Sequence, residues 1–428
     1  MVSVLTRTFG IENLELAEDV VQESLLHAYE VWPLQGIPEN PSAWLYRVAK
    51  NKAVDVLRRK SHSAPFPIDG DESLPFGDAA TDSGLTEDWW REELVKDDML
   101  RMMFVCCHPA VPEENQIALI LKTLCGFSTA EIARAFLASE DTISKRLYRT
   151  KEIFRRSRIE FTLPSLDAIH ERTSAVLNSI YLLFNEGYNS TDSDDLIRKD
   201  LMNEALLLCK MLTESAPTQL PETYALMALM CFQSSRTDSR LSPEGEIILL
   251  PDQDRSKWNF DLIALGNQFM EKAAFGDSAS KYHLEAAIAF EHSTAPSFEQ
   301  TNWKRIVELY DWLLSVAPSP IAELNRAVAL MELEGPGAAL TALQRITDRT
   351  KLEGFYLYHS LLGEMNARLA RADEARNQFR LAQDLTKSET EKALLNEKIH
   401  QLDGGKTKDA SAKSPVTPVP KQANSAPR

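Results

Sequence analysis

The sequence predicts an all-α fold: two small helical units, the second a helix-turn-helix, followed by a long α-solenoid. Three observations carry this. Apolar residues recur at helical spacing through almost the whole chain, glycine is sparse (16 of 428 residues), and prolines fall at boundaries. Two strongly basic helical stretches also flank an acidic stretch containing Pro, Gly, Asp and Ser. At about 100–200 residues per domain, the length allows two or three folded units, each with its own core.

The first helix of substance spans Leu16–Val31, amphipathic and rich in acids (Glu18, Asp19, Glu23, Glu30). It ends in the Pro/Gly-rich connection WPLQGIPENP. A second helix, from about Ser42 to Lys60, projects Trp44, Leu45, Val48, Ala49, Ala53, Val56 and Leu57 to one broad side. Arg47, Lys50, Asn51 and Arg58 fall together on the other, with Arg59 beside them, making a basic stripe with one amide. Residues 47–60 hold six basic groups against Asp55, whereas residues 69–98 hold eleven acids against Arg91 and Lys96. The expected division is a first unit over 1–62, an acidic linker over 63–98 and a second unit over 99–160.

The second unit carries the sharpest local signal. Ser128 and Glu131 form a capping box that opens a short helix with Ile132, Ala133 and Phe136 on its core side. A break at Leu137–Ser139 follows, with Ser139 as N-cap and Glu140 and Asp141 in the favoured first turn. The next helix runs from about Glu140 to Arg156 and aligns Ile143, Leu147 and Phe154 on one face. Lys145, Tyr148 and Arg149 lie on the other face, with Arg146 at its flank. This is a helix-turn-helix whose second helix is basic enough to enter a major groove. Leu137 stands where many such turns use glycine, so this turn does not rely on a left-handed residue there.

From about 165 to 403 the chain reads as helix after helix. Leu362, Gly363, Ala375, Phe379 and Ala382 have the spacing of a tetratricopeptide-repeat (TPR) helix pair. Ala205 and Pro217 repeat its second half, and Leu324 through Ala339 form a degenerate copy. Such pairs stack into a TPR-like α-solenoid with a concave binding surface. Residues 404–428, with two valines as their only large aliphatics, are expected to be a disordered tail.

Taken in order, AEDVVQESLLHAYE, PSAWLYRVAKNKAVDVLRRK and STAEIARAFLASEDTISKRLYRTKEIFRR closely resemble the extracytoplasmic-function sigma factors of the sigma-70 family. The resemblance implies that Asp19, Gln22 and Glu23 dock on the RNA polymerase core. It implies that the helix bearing Arg47, Lys50, Asn51, Arg58 and Arg59 binds and melts the −10 promoter element. The helix bearing Lys145, Arg146, Tyr148 and Arg149 would read the −35 element. LRMMFVCCHPAVP, YLLFNEGY, LLPDQDRSKWN, YHLEAAIAFEH and APSPIAELNRAVAL resemble the subgroup with a C-terminal TPR domain, which would regulate the sigma half and bind a protein or small molecule. Family members carry about one more helix before LTRTFG, which implies a start upstream of Met1. The chain as it stands would then leave an apolar groove near Val20, Leu25 and Tyr29 uncovered.

Other chemistry is weakly represented. The five cysteines include no CxxC, which fits a reducing, cytoplasmic setting, and the longest apolar stretch, Ser174–Phe184, is too short for a membrane span. Cys106-Cys107-His108 reads as a buried helix end stopped by Pro109 rather than a metal clip. Asp252, Asp254, Arg255 and Trp258 read as a capping or salt-bridged turn before a ligand site. No nucleophile set, phosphate loop or metal motif is present, so neither catalysis nor a cofactor is expected. Two other readings stay open: a stand-alone helix-turn-helix regulator with a TPR sensor, and a TPR scaffold whose sigma half is inactive. The Asp19–Glu23 helix speaks against the first, which has no use for a polymerase-docking face.

Overall fold

The apolar residues of α1 (Val2–Phe9) all fall on one side, and Gly10, at φ +86°, turns the chain out of it. A 3-10 turn, Ile11–Asn13, leads into α2 (Leu14–Gln35), and α3 (Pro41–Ser63) returns alongside it. Leu5, Phe9, Leu16, Ala17, Val20, Ala49 and Ala53 meet as a small separate core. Described residues of the computed structural model are 1–63, 92–135, 138–157, 159–190, 196–346 and 352–404. The expected tail, most of the acidic linker, and Phe136 and Leu137 lie outside them.

Four helices follow: α4 (Glu92–Cys106), α5 (Glu113–Thr123), α6 (Thr129–Ala135) and α7 (Glu140–Ser157). Residues 92–98 are thus helical, where the sequence reading put linker. The charge at 98 misled it: Asp98 is fully buried, 3.4 Å from Arg7 and 2.7 Å from Arg101, so it is a paired interior acid. Burial still pushes its carboxyl above the ordinary carboxylate range, although both arginines pull the other way.

The remaining helices pack in series: α8 (Leu166–Tyr188), α9 (Lys199–Glu214), α10 (Pro221–Ser235), α11 (Phe260–Ala273), α12 (Lys281–Thr294) and α13 (Trp303–Val316). Then come α14 (Pro320–Glu334), α15 (Pro336–Gln344), α16 (Tyr356–Arg368), α17 (Ala372–Leu385) and α18 (Glu389–Gly404). Among the described residues the only β pairing is an isolated bridge between Leu241 and Ile247. α10 is buried from Thr223 to Phe232 because α8, α9, α11 and α12 surround it, as an all-round apolar helix requires. In α16 and α17, a Cβ on Gly363 would stand 2.5 Å from the Phe379 ring. Only glycine permits that approach. Ala375, Phe379 and Ala382 are buried in the same seam.

One core joins these parts. It runs from Ile11 and Leu14 through Ile143, Leu147 and Phe154 to Val176, Leu201 and Phe232. Arg172 of α8 donates to the Phe104 carbonyl at 3.2 Å, and Arg198 lies 5.6 Å over the Phe127 ring. The unit that carries the helix-turn-helix therefore rests on the C-terminal half through α4, α5 and the segment before α6. Gly187, near the end of α8, is packed against the start of α9: an added Cβ would sit 2.7 Å from the Met202 nitrogen and 2.8 Å from the Arg198 carbonyl. Backbone cannot swing aside as a side chain can. Gly187→Ala should cost about 1–3 kcal/mol, seen as a lower Tm, whereas an unchanged Tm would mean that α8 and α9 separate freely.

Candidate nucleic-acid interface

The recognition unit is assembled from local caps. Ser128 and Glu131 satisfy each other's backbone N–H groups at 2.7 and 3.2 Å, closing the N-terminus of α6. The Ser139 hydroxyl accepts from Thr142 N at 3.2 Å and starts α7. Buried Ile132 and Ala133 of α6 meet the α7 side formed by Ile143, Leu147, Thr150 and Phe154. That fixes which way α7 is rolled. Lys145, Tyr148 and Arg149 are turned to solvent and Arg146 is half-buried. Lys145 is tied to Asp141 at 2.6 Å, while Arg149 makes no ion pair among the described residues.

The C-terminal part of α7 does something the sequence reading did not foresee. Lys151 Nζ lies 2.7 Å from Glu18 Oε2 of α2, with both side chains largely buried. Arg155 pairs with Glu15 and Glu152. Both cations had counted only toward the basic charge of the unit. Acids at the start of α2 and bases at the end of α7 were the available signal, but nothing local says that they meet.

On α3 the roll is set by Ala49 and Ala53, which are fully buried. Arg47, Asn51, Arg58 and Arg59 are consequently exposed and Lys50 half-buried, all along the side away from the core. Lys52 leaves the stripe to bond Glu23 of α2 at 3.0 Å. Near the start of α3, Trp44 stacks on His27 and meets Trp32 edge-on, each at 5.6 Å between ring centres. This aromatic cluster was also missed, since Trp44 read simply as core.

Asp19, Gln22 and Glu23 are all exposed on α2. Next to them Leu25 and Tyr29 are 49% and 81% exposed, whereas Val20 is covered at 2%. The acids and these apolar side chains make one amphipathic face. Elsewhere, burial raises the Cys106 thiol to about 12, and its sulfur lies 3.7 Å from the Thr123 hydroxyl. His108 Nδ1 accepts from Ala110 N at the helix end. No group of three metal-ligating side chains occurs among the described residues, and no described helix is long and apolar enough to cross a membrane.

Comparison with known proteins agrees with this layout. Residues 2–63 match sigma-70 region 2, residues 101–153 match sigma-70 region 4, and residues 172–274 match a family of unknown function, DUF6596. An uncharacterized protein of Rhizobium meliloti is 37% identical over 394 residues, covering 91% of this chain and 90% of its own. The ECF RNA polymerase sigma-E factor of Salmonella typhimurium is 30% identical over 135 residues, 31% of this chain and 69% of its own. The ECF RNA polymerase sigma factor SigW of Bacillus subtilis is 25% identical over 147 residues, 34% of this chain and 76% of its own. No solved structure matches. With sigma-70 regions 2 and 4 each built around the helices described above, and with 30% identity to a sigma-E factor over 69% of that relative, the chain belongs to the extracytoplasmic-function sigma factors of the sigma-70 family.

Proposed function

We propose that this sigma factor directs promoter-specific initiation by binding rather than catalysis, and that its C-terminal half controls access to the promoter. The α3 side bearing Arg47, Lys50, Asn51, Arg58 and Arg59 engages the −10 element, with the Trp32/Trp44 cluster offering faces on which unpaired bases stack. Lys145, Arg146, Tyr148 and Arg149 of α7 engage the −35 element. Asp19, Gln22 and Glu23 of α2 face the polymerase core. In this reading region 2 covers 1–62, region 4 covers 99–160, and residues 165–403 form a TPR-like regulatory superhelix, all working in the cytoplasm.

The Glu18–Lys151 contact carries the regulatory part. The two promoter elements are about 25 base pairs apart, or about 85 Å along B-DNA. Helices α2 and α7 touch at 2.7 Å, so α3 and α7 cannot occupy both elements at once in this arrangement. Initiation then requires that region 2 leave region 4. Because region 4 shares its core with α8 and α9, the C-terminal half holds one side of that hinge. The Gly363–Phe379 seam supports the repeat reading, being the close small-against-large approach that TPR spacing demands.

The direct test of promoter reading is Arg149→Ala. It should weaken binding to a cognate promoter fragment by about 1–3 kcal/mol if the guanidinium pairs bidentately with guanine. A uniform loss on all sequences would assign it to phosphate instead. Unchanged binding at moderate salt would remove α7 from the interface.

A further inference from the structure

Buried side-chain nitrogens and oxygens without a hydrogen-bond partner are costly, and a native fold carries few of them. Among the described residues fourteen such atoms occur, and seven come from one neighbourhood of the C-terminal half. They belong to Tyr188 at the end of α8, Gln233, Ser234 and Thr237 at and just beyond the end of α10, Arg255 and Trp258 in the following turn, and His292 in α12. They are a group rather than scattered single atoms.

The neighbourhood is well tied together. Asn259 N donates to the Ser235 carbonyl at 2.7 Å, and Arg255 Nη1 donates to the His292 and Ala295 carbonyls at 2.9 and 2.7 Å. Asp254 caps its own turn by accepting from Ser256 N at 3.0 Å, and the turn makes no salt bridge among the described residues. Arg255 lies 4.4 Å over the Trp258 ring, which leaves its other amino group, Nη2, buried and unbonded. Arg240 and Arg236 lie 4.0 and 5.8 Å over the Tyr188 ring. Arg240 spends its hydrogen bonds on the Tyr188 carbonyl and Asn189. The Arg236 guanidinium makes no hydrogen bond among the described residues, whereas its backbone carbonyl accepts from Ser239 N at 3.1 Å and from the Ser239 hydroxyl at 2.8 Å.

None of these three guanidiniums has a carboxylate ion pair among the described residues, in a chain whose net charge is −16. Glu299 acts on Arg255 only from the exposed rim. The uncompensated positive field registers on His292, whose imidazole is pushed down to about 3 by burial and then by Arg236 and Arg255. We propose that this side-chain cluster, centred on Arg236, Arg255, Tyr188 and Trp258, binds a small phosphate- or carboxylate-bearing molecule. The hydroxyls, the indole N–H and the guanidinium N–H groups are donors suited to an anion, and the Tyr188 and Trp258 rings flank it. Donor atoms this buried suit a small ligand better than a macromolecular surface.

The test uses the full chain and reads binding, so it does not depend on the initiation reading. Thermal unfolding and calorimetric titration with inorganic phosphate, pyrophosphate and citrate are compared with sodium chloride at equal ionic strength. The expected result is saturable stabilisation by at least one of the three, with pyrophosphate against citrate distinguishing a phosphate from a carboxylate source. Arg236→Gln should weaken that binding about tenfold or more with little change in the unliganded Tm, since the side chain makes no hydrogen bond among the described residues and only a 5.8 Å contact over the Tyr188 ring. Arg345→Gln, at an exposed arginine elsewhere, should bind like the unaltered chain. Absence of any anion-specific saturation, or equal affinity in Arg236→Gln, overturns the site.

Discussion

A Glu23→Lys chain is expected to lose run-off transcription with purified core polymerase while its region 4 binds promoter DNA as before. Glu23 is exposed, and its 3.0 Å bond to Lys52 is a surface pair, so folding loses about 1 kcal/mol or less. The functional loss is larger because the reversed charge sits on the face shared by Asp19, Gln22, Leu25 and Tyr29. A wrong charge buried at a protein interface costs several kcal/mol, enough to abolish a complex of ordinary affinity. Glu23→Gln removes the bond to Lys52 without introducing repulsion, and it separates the two causes. Normal capture of core polymerase by the Glu23→Lys chain would contradict the assignment of this face.

The second large effect concerns closure. Glu18 and Lys151 have side chains only 8% and 14% exposed, and removing one partner of a buried pair costs about 3–5 kcal/mol. Glu18→Lys also sets two cations against each other. The closed arrangement should lose ground by about a hundredfold or more. The readings are a larger radius of gyration by small-angle scattering and a severalfold rise in initiation with core polymerase. Adding Lys151→Glu restores an ion pair of opposite polarity and should return both measurements toward those of the original chain. If Glu18→Lys leaves size and initiation unchanged, closure rests on Arg7–Asp98 and the Ile11/Leu14 contacts instead, and Glu18 is not the latch.

The helix-turn-helix was readable in detail because its determinants are short-range. The Ser128–Glu131 box and the Ser139 cap act within one turn, and the buried Ile143, Leu147 and Phe154 stripe lies within a single helix. The same holds for the α3 stripe and for the Leu362–Ala382 helix pair, where residue spacing alone fixes the seam. Linker charge proved less legible. An acid in a run of acids reads as solvated unless its partners are known, and those of Asp98 include Arg7, far back in the chain.

By itself, then, the sequence determined the helices, their caps and the faces they bury, since periodicity and capping are local properties of the backbone. The tertiary structure alone decided which charges meet. Lys151 faces Glu18, 133 positions earlier, and Arg255 reaches His292 and Ala295, 37 and 40 positions later. Arg236 and Arg240 gather around Tyr188 without a carboxylate. Coulombic and hydrogen-bond energies depend on separation in space and on exclusion of water. Neither quantity is written in residue order; both appear only once the packed cores have brought distant helices together.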